Sequence, residues 1–70
     1  MSDIEYKVTK RYGKIDRGDN KWPLEVNEVS WNDRPAKIDI RFWTPDAKPR
    51  KGITLTTKEA RELRDILAKI

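Results

Sequence analysis

The chain contains no cysteine and no histidine. No disulfide is available to it, and two of the commonest transition-metal ligands are missing. The same absence removes the usual nucleophile–base pairs of covalent catalysis. Carboxylates are present, but Asp33, Asp39 and Asp46 follow no spacing that implies a metal or an acid–base pair. The expectation is a non-enzymatic protein with no metal and no cofactor. Long apolar runs are also missing. Residues 1–20 hold no stretch resembling a signal peptide, and no segment is long enough to cross a bilayer. A soluble cytoplasmic protein follows as the expectation, nucleoid-associated if the source is bacterial.

What is there amounts to a single domain over residues 1–70. A domain this short buries only about 60% of its unfolded surface, so its core is marginal. With disulfides and metals set aside, oligomerisation is the remaining remedy. Charge is distributed unevenly. Residues 59–70 balance Arg61, Arg64 and Lys69 against Glu59, Glu62 and Asp65, so the net charge of +4 lies entirely in residues 1–58. A basic region beside a neutral terminal segment predicts a polyanion as partner.

Four runs read as strands. Ile4 to Ile15 alternates Ile4, Tyr6 and Val8 with Glu5, Lys7 and Thr9, and the turn cluster Arg17–Asn20 follows. From Lys21 to Asn32, Trp22, Leu24 and Val26 share one parity while Val29 and Trp31 share the other. That phase change predicts a β-bulge near Asn27-Glu28, one able to curve the sheet into a trough. Ala36 to Thr44 alternates most clearly, with Ile38, Ile40 and Phe42 opposite Lys37, Asp39, Arg41 and Trp43. A loop containing Pro45 and Pro49 precedes a short run from Arg50 to Leu55. Thr56-Thr-Lys-Glu59 then fits a capping box. Ala60, Leu63, Leu67 and Ile70, with Ile66 beside them, form an apolar helical stripe. The predicted class is α+β, with the order β-β-β-β-α.

The third run carries the functional signal. Its aliphatic face needs the helix stripe as a partner, which leaves Arg41, Trp43 and Lys37 on the other side. An indole beside a guanidinium suits an unpaired base, stacked on the ring with its phosphate near the cation. The competing expectation has Trp43 packed under a loop or in a dimer interface. Lys48, Arg50 and Lys51 add closely spaced cations next to this strand. Lys7, Lys10, Arg11 and Lys14 add more in the first run. Ser30 and Asn32 suit hydrogen bonds to a sugar–phosphate backbone, or simple solvation of an edge. Trp22 and Trp31 are in phase with aliphatic neighbours and read as core.

Lys37-Ile-Asp-Ile-Arg-Phe-Trp43, then Lys48-Pro-Arg-Lys-Gly-Ile-Thr-Leu55 and an amphipathic helix, resembles the positive cofactor four family of transcriptional coactivators. Asn27-Glu-Val-Ser-Trp-Asn32 resembles its bacterial YdbC-type members more closely. The resemblance implies a curved four-stranded antiparallel sheet with one C-terminal helix, dimerised through the helices. It implies a trough that binds single-stranded DNA with little sequence preference, in transcription regulation, replication or repair. Carried over by position, the stacking tryptophan is Trp43, the sheet arginine Arg41, the flanking lysines Lys48 and Lys51, and the second-strand serine Ser30. The helix residues Leu63, Ile66, Leu67 and Ile70 would form the homodimer interface. Where animal members place an Arg and then an aromatic after that serine, this chain has Asn32 and Arg34. An RNA-binding module on the same surface, or a protein-interaction domain using the Trp43 face, are the alternatives.

Overall fold

A computed structural model describes residues 5–70; Ile4, the first apolar residue of the expected opening run, lies outside them. Four strands, β1 (Tyr6–Ile15), β2 (Leu24–Trp31), β3 (Lys37–Trp43) and β4 (Pro49–Leu55), precede one helix, α1 (Thr57–Leu67). The strands pair in sequence order and antiparallel throughout. The β-β-β-β-α reading is therefore the observed fold.

The turns follow from local chemistry. Asn32 and Asp33 both adopt left-handed backbone, and Arg34 N–H donates to the Trp31 carbonyl at 3.0 Å. This is a left-handed turn within the connection over residues 32–36, and Asn and Asp tolerate its backbone best. Asn32 also fastens β1: its Oδ1 accepts from Glu5 N–H at 3.1 Å, and its own N–H donates to the Glu5 carbonyl at 2.8 Å. Between β3 and β4, the Thr44 hydroxyl donates to Asp46 at 2.6 Å and holds that carboxyl below the usual range. The helix opens with the predicted capping box, Thr56 Oγ1 accepting from Glu59 N–H and Glu59 accepting from Thr56 N–H.

The bulge falls elsewhere than expected. β2 pairs with β3 without interruption from Leu24 to Val29. The register shifts instead lie on β1, around Thr9 and around Tyr12, and between β3 and β4 near Trp43. The phase change in β2 arises because both faces of the strand are partly apolar. Leu24 and Val26 share a face with Ile38, Ile40 and Phe42, while Val29 and Trp31 share the other with Asn27, Asp39 and Arg41.

That second, inner face is a core in its own right because the sheet coils over it. Trp31 pairs with Tyr6, whereas Trp43 N–H bonds the Pro23 carbonyl, eight residues away along β2. A flat sheet would hold those two levels about 26 Å apart, at ~3.3 Å per residue. Yet one ring, Tyr6, lies 5.4 Å from Trp31 and 5.6 Å from Trp43. The Tyr6 hydroxyl also donates to the Ala47 carbonyl in the β3–β4 turn at 3.3 Å, joining edge strand β1 to the opposite hairpin. Bulges on β1 supply the extra bend that such coiling needs. Val29, Asn27, Asp39 and Trp43 are buried inside the coil.

The aliphatic outer face is left to the helix, which lies against β3 and β4. Ala60 and Leu63 are half-buried there, but no helix residue is fully buried. Ile53, Ile66 and Leu67 are each more than half exposed.

Candidate nucleic-acid interface

On β3 the predicted alternation holds, but its solvation is reversed. Trp43 is 4% exposed, with the Tyr6 ring 5.6 Å away, and is core rather than an open platform. The expectation of an exposed Trp43 assumed a flat sheet with a wet polar face; coiling turned that face inward. The indole N–H groups of Trp31 and Trp43 are buried without a partner among the described residues.

The reading of Trp22 as core is corrected in the same way, while that of Trp31 holds in part. Trp22 is 39% exposed, and the Arg50 guanidinium sits 5.0 Å from its ring centroid. Trp31 is half-buried, with the Arg41 guanidinium 4.8 Å from its ring. Trp22, Trp31, Arg41, Pro49, Arg50 and Lys51 line an open groove of about 460 Å³. It continues past Trp31 and Arg41 into clefts bordered by Arg34, Lys37 and Thr54. Two indoles and five cations thus share one track.

Arg41 belongs to this track as its organiser. Its Nε and Nη2 donate to the two oxygens of Asp39, each at 2.7 Å, and Nη1 donates to the Arg50 carbonyl at 2.8 Å. Asp39 is fully buried and the Arg41 side chain is 15% exposed. A buried carboxylate needs such a bidentate partner, because an unpaired charge there is strongly disfavoured. Asp39 in turn cancels most of the field of Arg41, so the free positive potential comes from Arg50, Lys51, Arg34 and Lys37. Gly52 opposite Arg41 makes the packing possible. A Cβ there would overlap the Arg41 Cβ and the Ile40 carbonyl, and would lie 2.6 Å from the Arg41 Cα.

The remaining predicted residues lie outside the groove. Ser30 Oγ donates to the Arg34 carbonyl at 2.6 Å, and Asn32 holds β1; both hydrogen bonds organise the β2–β3 hairpin. Lys48 stands at the β3–β4 turn with its ammonium 3.7 Å from Asp46, both side chains well exposed. Sequence reasoning missed Trp22, Trp31 and Arg34 as groove residues. One signal was available: Trp31 shares its parity with Glu25 and Asn27 as well as Val29, a mixed composition that a plain aliphatic face does not show.

The profile of the family described as Transcriptional Coactivator p15 (PC4) matches residues 19–66, a span containing every groove residue. An uncharacterised protein of Treponema pallidum (strain Nichols) is 48% identical over 66 residues, covering 93% of this chain and 78% of its own. On this match the chain belongs to the Transcriptional Coactivator p15 (PC4) family, whose members are of the single-stranded-DNA-binding, coactivator type.

Proposed function

We propose that this chain is a single domain that binds single-stranded DNA mainly through backbone charge and stacking, as a homodimer, in transcription regulation, replication or repair in the cytoplasm or nucleoid. The observation that carries the reading is the pair of tryptophan–arginine stacks, Trp22 with Arg50 and Trp31 with Arg41, on one cation-lined groove. Every base has a π-face, so stacking on such rings tolerates any sequence and contributes about 1–3 kcal/mol per base. Arg50, Lys51, Arg34 and Lys37 are spaced to follow a phosphate chain. A duplex keeps its bases stacked inside and offers the indoles nothing. The role of the helix is to pair two copies: Ile53, Ile66, Leu67 and Ile70 leave an apolar surface that water disfavours.

The test is a titration of labelled oligo-dT, its RNA counterpart and a matched duplex at two salt concentrations. Tightest binding to oligo-dT, falling steeply with salt, supports the reading. Preference for the RNA would move the function to an RNA-binding module, and no binding to any of the three would leave a protein-interaction domain.

A further inference from the structure

A second cleft, of about 220 Å³, opens on the inner face beside the tryptophan groove, lined by Arg11, Gly13, Lys14, Glu25 and Asn27. Glu25 is the one acidic residue of that lining. It pairs across the sheet with Lys14 on one side and Arg41 on the other, so cleft and groove share a boundary. Its side chain is 18% exposed and its carboxylate is incompletely partnered. Asn27, itself buried, donates from Nδ2 to Glu25 Oε1 at 3.1 Å. Arg11 Nη1 reaches the same oxygen only at 3.5 Å, and the Arg11 side chain is well exposed. Such a long, half-wet pair contributes little to stability. A carboxylate fixed by a buried amide, on the path of a polyanion, calls for another explanation.

Resting on the single-strand reading above, we propose that this cleft is a nucleobase subsite selective for guanine. A carboxylate accepts hydrogen bonds only. Guanine alone among the bases presents two adjacent donors, N1–H and the N2 amino group, which a carboxylate takes side by side. Its O6 is an acceptor and faces the donors Arg11 and Lys14. Thymine sets a single N3–H between two carbonyls that the carboxylate repels. Adenine and cytosine each offer one amino group next to a ring nitrogen that is itself an acceptor. Backbone charge and stacking then supply the affinity, while Glu25 adds a preference at one nucleotide.

The experiment compares oligo-dT with oligomers in which one central thymine is replaced by guanine or by inosine, which lacks the N2 amino group. The expected order is guanine, inosine, thymine, with guanine about five- to tenfold tighter than thymine, the lower end for a good base contact. In Glu25→Gln the guanine advantage falls to about one, and oligo-dT binds more tightly because a negative charge has left the phosphate path. Wild-type binding to all three oligomers with equal affinity overturns the subsite while leaving single-strand binding intact. Inosine equal to guanine overturns the two-donor clamp, and an undiminished guanine advantage in folded Glu25→Gln overturns the assignment to Glu25. No binding to any of them removes the single-strand reading and the subsite together. Should the variant not fold, the wild-type inosine series decides alone.

Discussion

Two tryptophan truncations separate the inner core from the groove. Trp43 is almost completely buried, and its ring packs 5.6 Å from Tyr6 at the point where β1 closes on the β3–β4 turn. Removing a buried tryptophan costs about 3–5 kcal/mol, the transfer of the ring plus the cavity left behind. The unpartnered indole N–H offsets part of that, since the variant no longer buries an unsatisfied donor. A lower figure of about 3 kcal/mol is therefore the working value. Domains hold roughly 0.05–0.15 kcal/mol per residue, so about 3 kcal/mol is a large share of what 70 residues can have. At about 4–8 °C per kcal/mol for a domain of this size, Trp43→Ala lowers Tm by at least ~12 °C. Trp22→Ala behaves oppositely. Trp22 is 39% exposed against 4% for Trp43, so Tm falls by less than in Trp43→Ala while affinity for oligo-dT falls by about 1–3 kcal/mol. Thermal unfolding by circular dichroism, with an oligo-dT titration below each transition, reads both quantities. A Trp43→Ala protein with unchanged Tm and weakened DNA binding would refute the buried-core assignment.

Other perturbations test the supporting geometry. Gly52→Ala forces β4 away from β3, because the new methyl meets Arg41 and Ile40 backbone that cannot rotate aside; we expect about 1–3 kcal/mol of destabilisation by denaturant titration, together with weaker oligo-dT binding. On the proposed helix-mediated pairing, Leu67→Asp places a charge on the exposed apolar helix surface and is expected to leave a monomer in sedimentation where wild type is a dimer; a monomeric wild type, or a variant that stays dimeric, would refute pairing through this surface. Glu59 has its pKa lowered by the hydrogen bond from Thr56 N–H, so the capping box stabilises the helix above the ordinary glutamate range and is lost as pH falls through the lowered value. Helical ellipticity followed through acid should drop in that window in wild type and show no such step there in Glu59→Gln.

The elements were legible where one residue pattern met one environment. Alternation in β3 and the Thr56–Glu59 capping box each depend on neighbours within a few positions, and each is present. The stripe on α1 was legible for the same reason. What escaped was set by coiling, a property of the whole sheet. Whether Trp43 faces water depends on Tyr6 and on the Ala47 carbonyl that anchors it, which lie 37 and 4 residues away in the chain. β2 misled because a strand buried on both faces shows no single period, and its apparent phase change looked like a bulge. Arg41 was tied to Trp43, but its ring partner is Trp31 and its charge is taken by Asp39. A carboxylate two residues before an arginine on the same strand face is a readable warning that the cation is already committed.

The most direct measurement is the response of the three indole N–H resonances to oligo-dT, assigned by single substitutions in a nitrogen-15-labelled protein. If nucleic acid lies in the groove, the Trp22 and Trp31 signals shift progressively with added oligomer while that of Trp43 stays close to its free position. A shift dominated by Trp43, with Trp22 and Trp31 unmoved, would contradict the account and return the binding surface to the β3 face first read from the sequence.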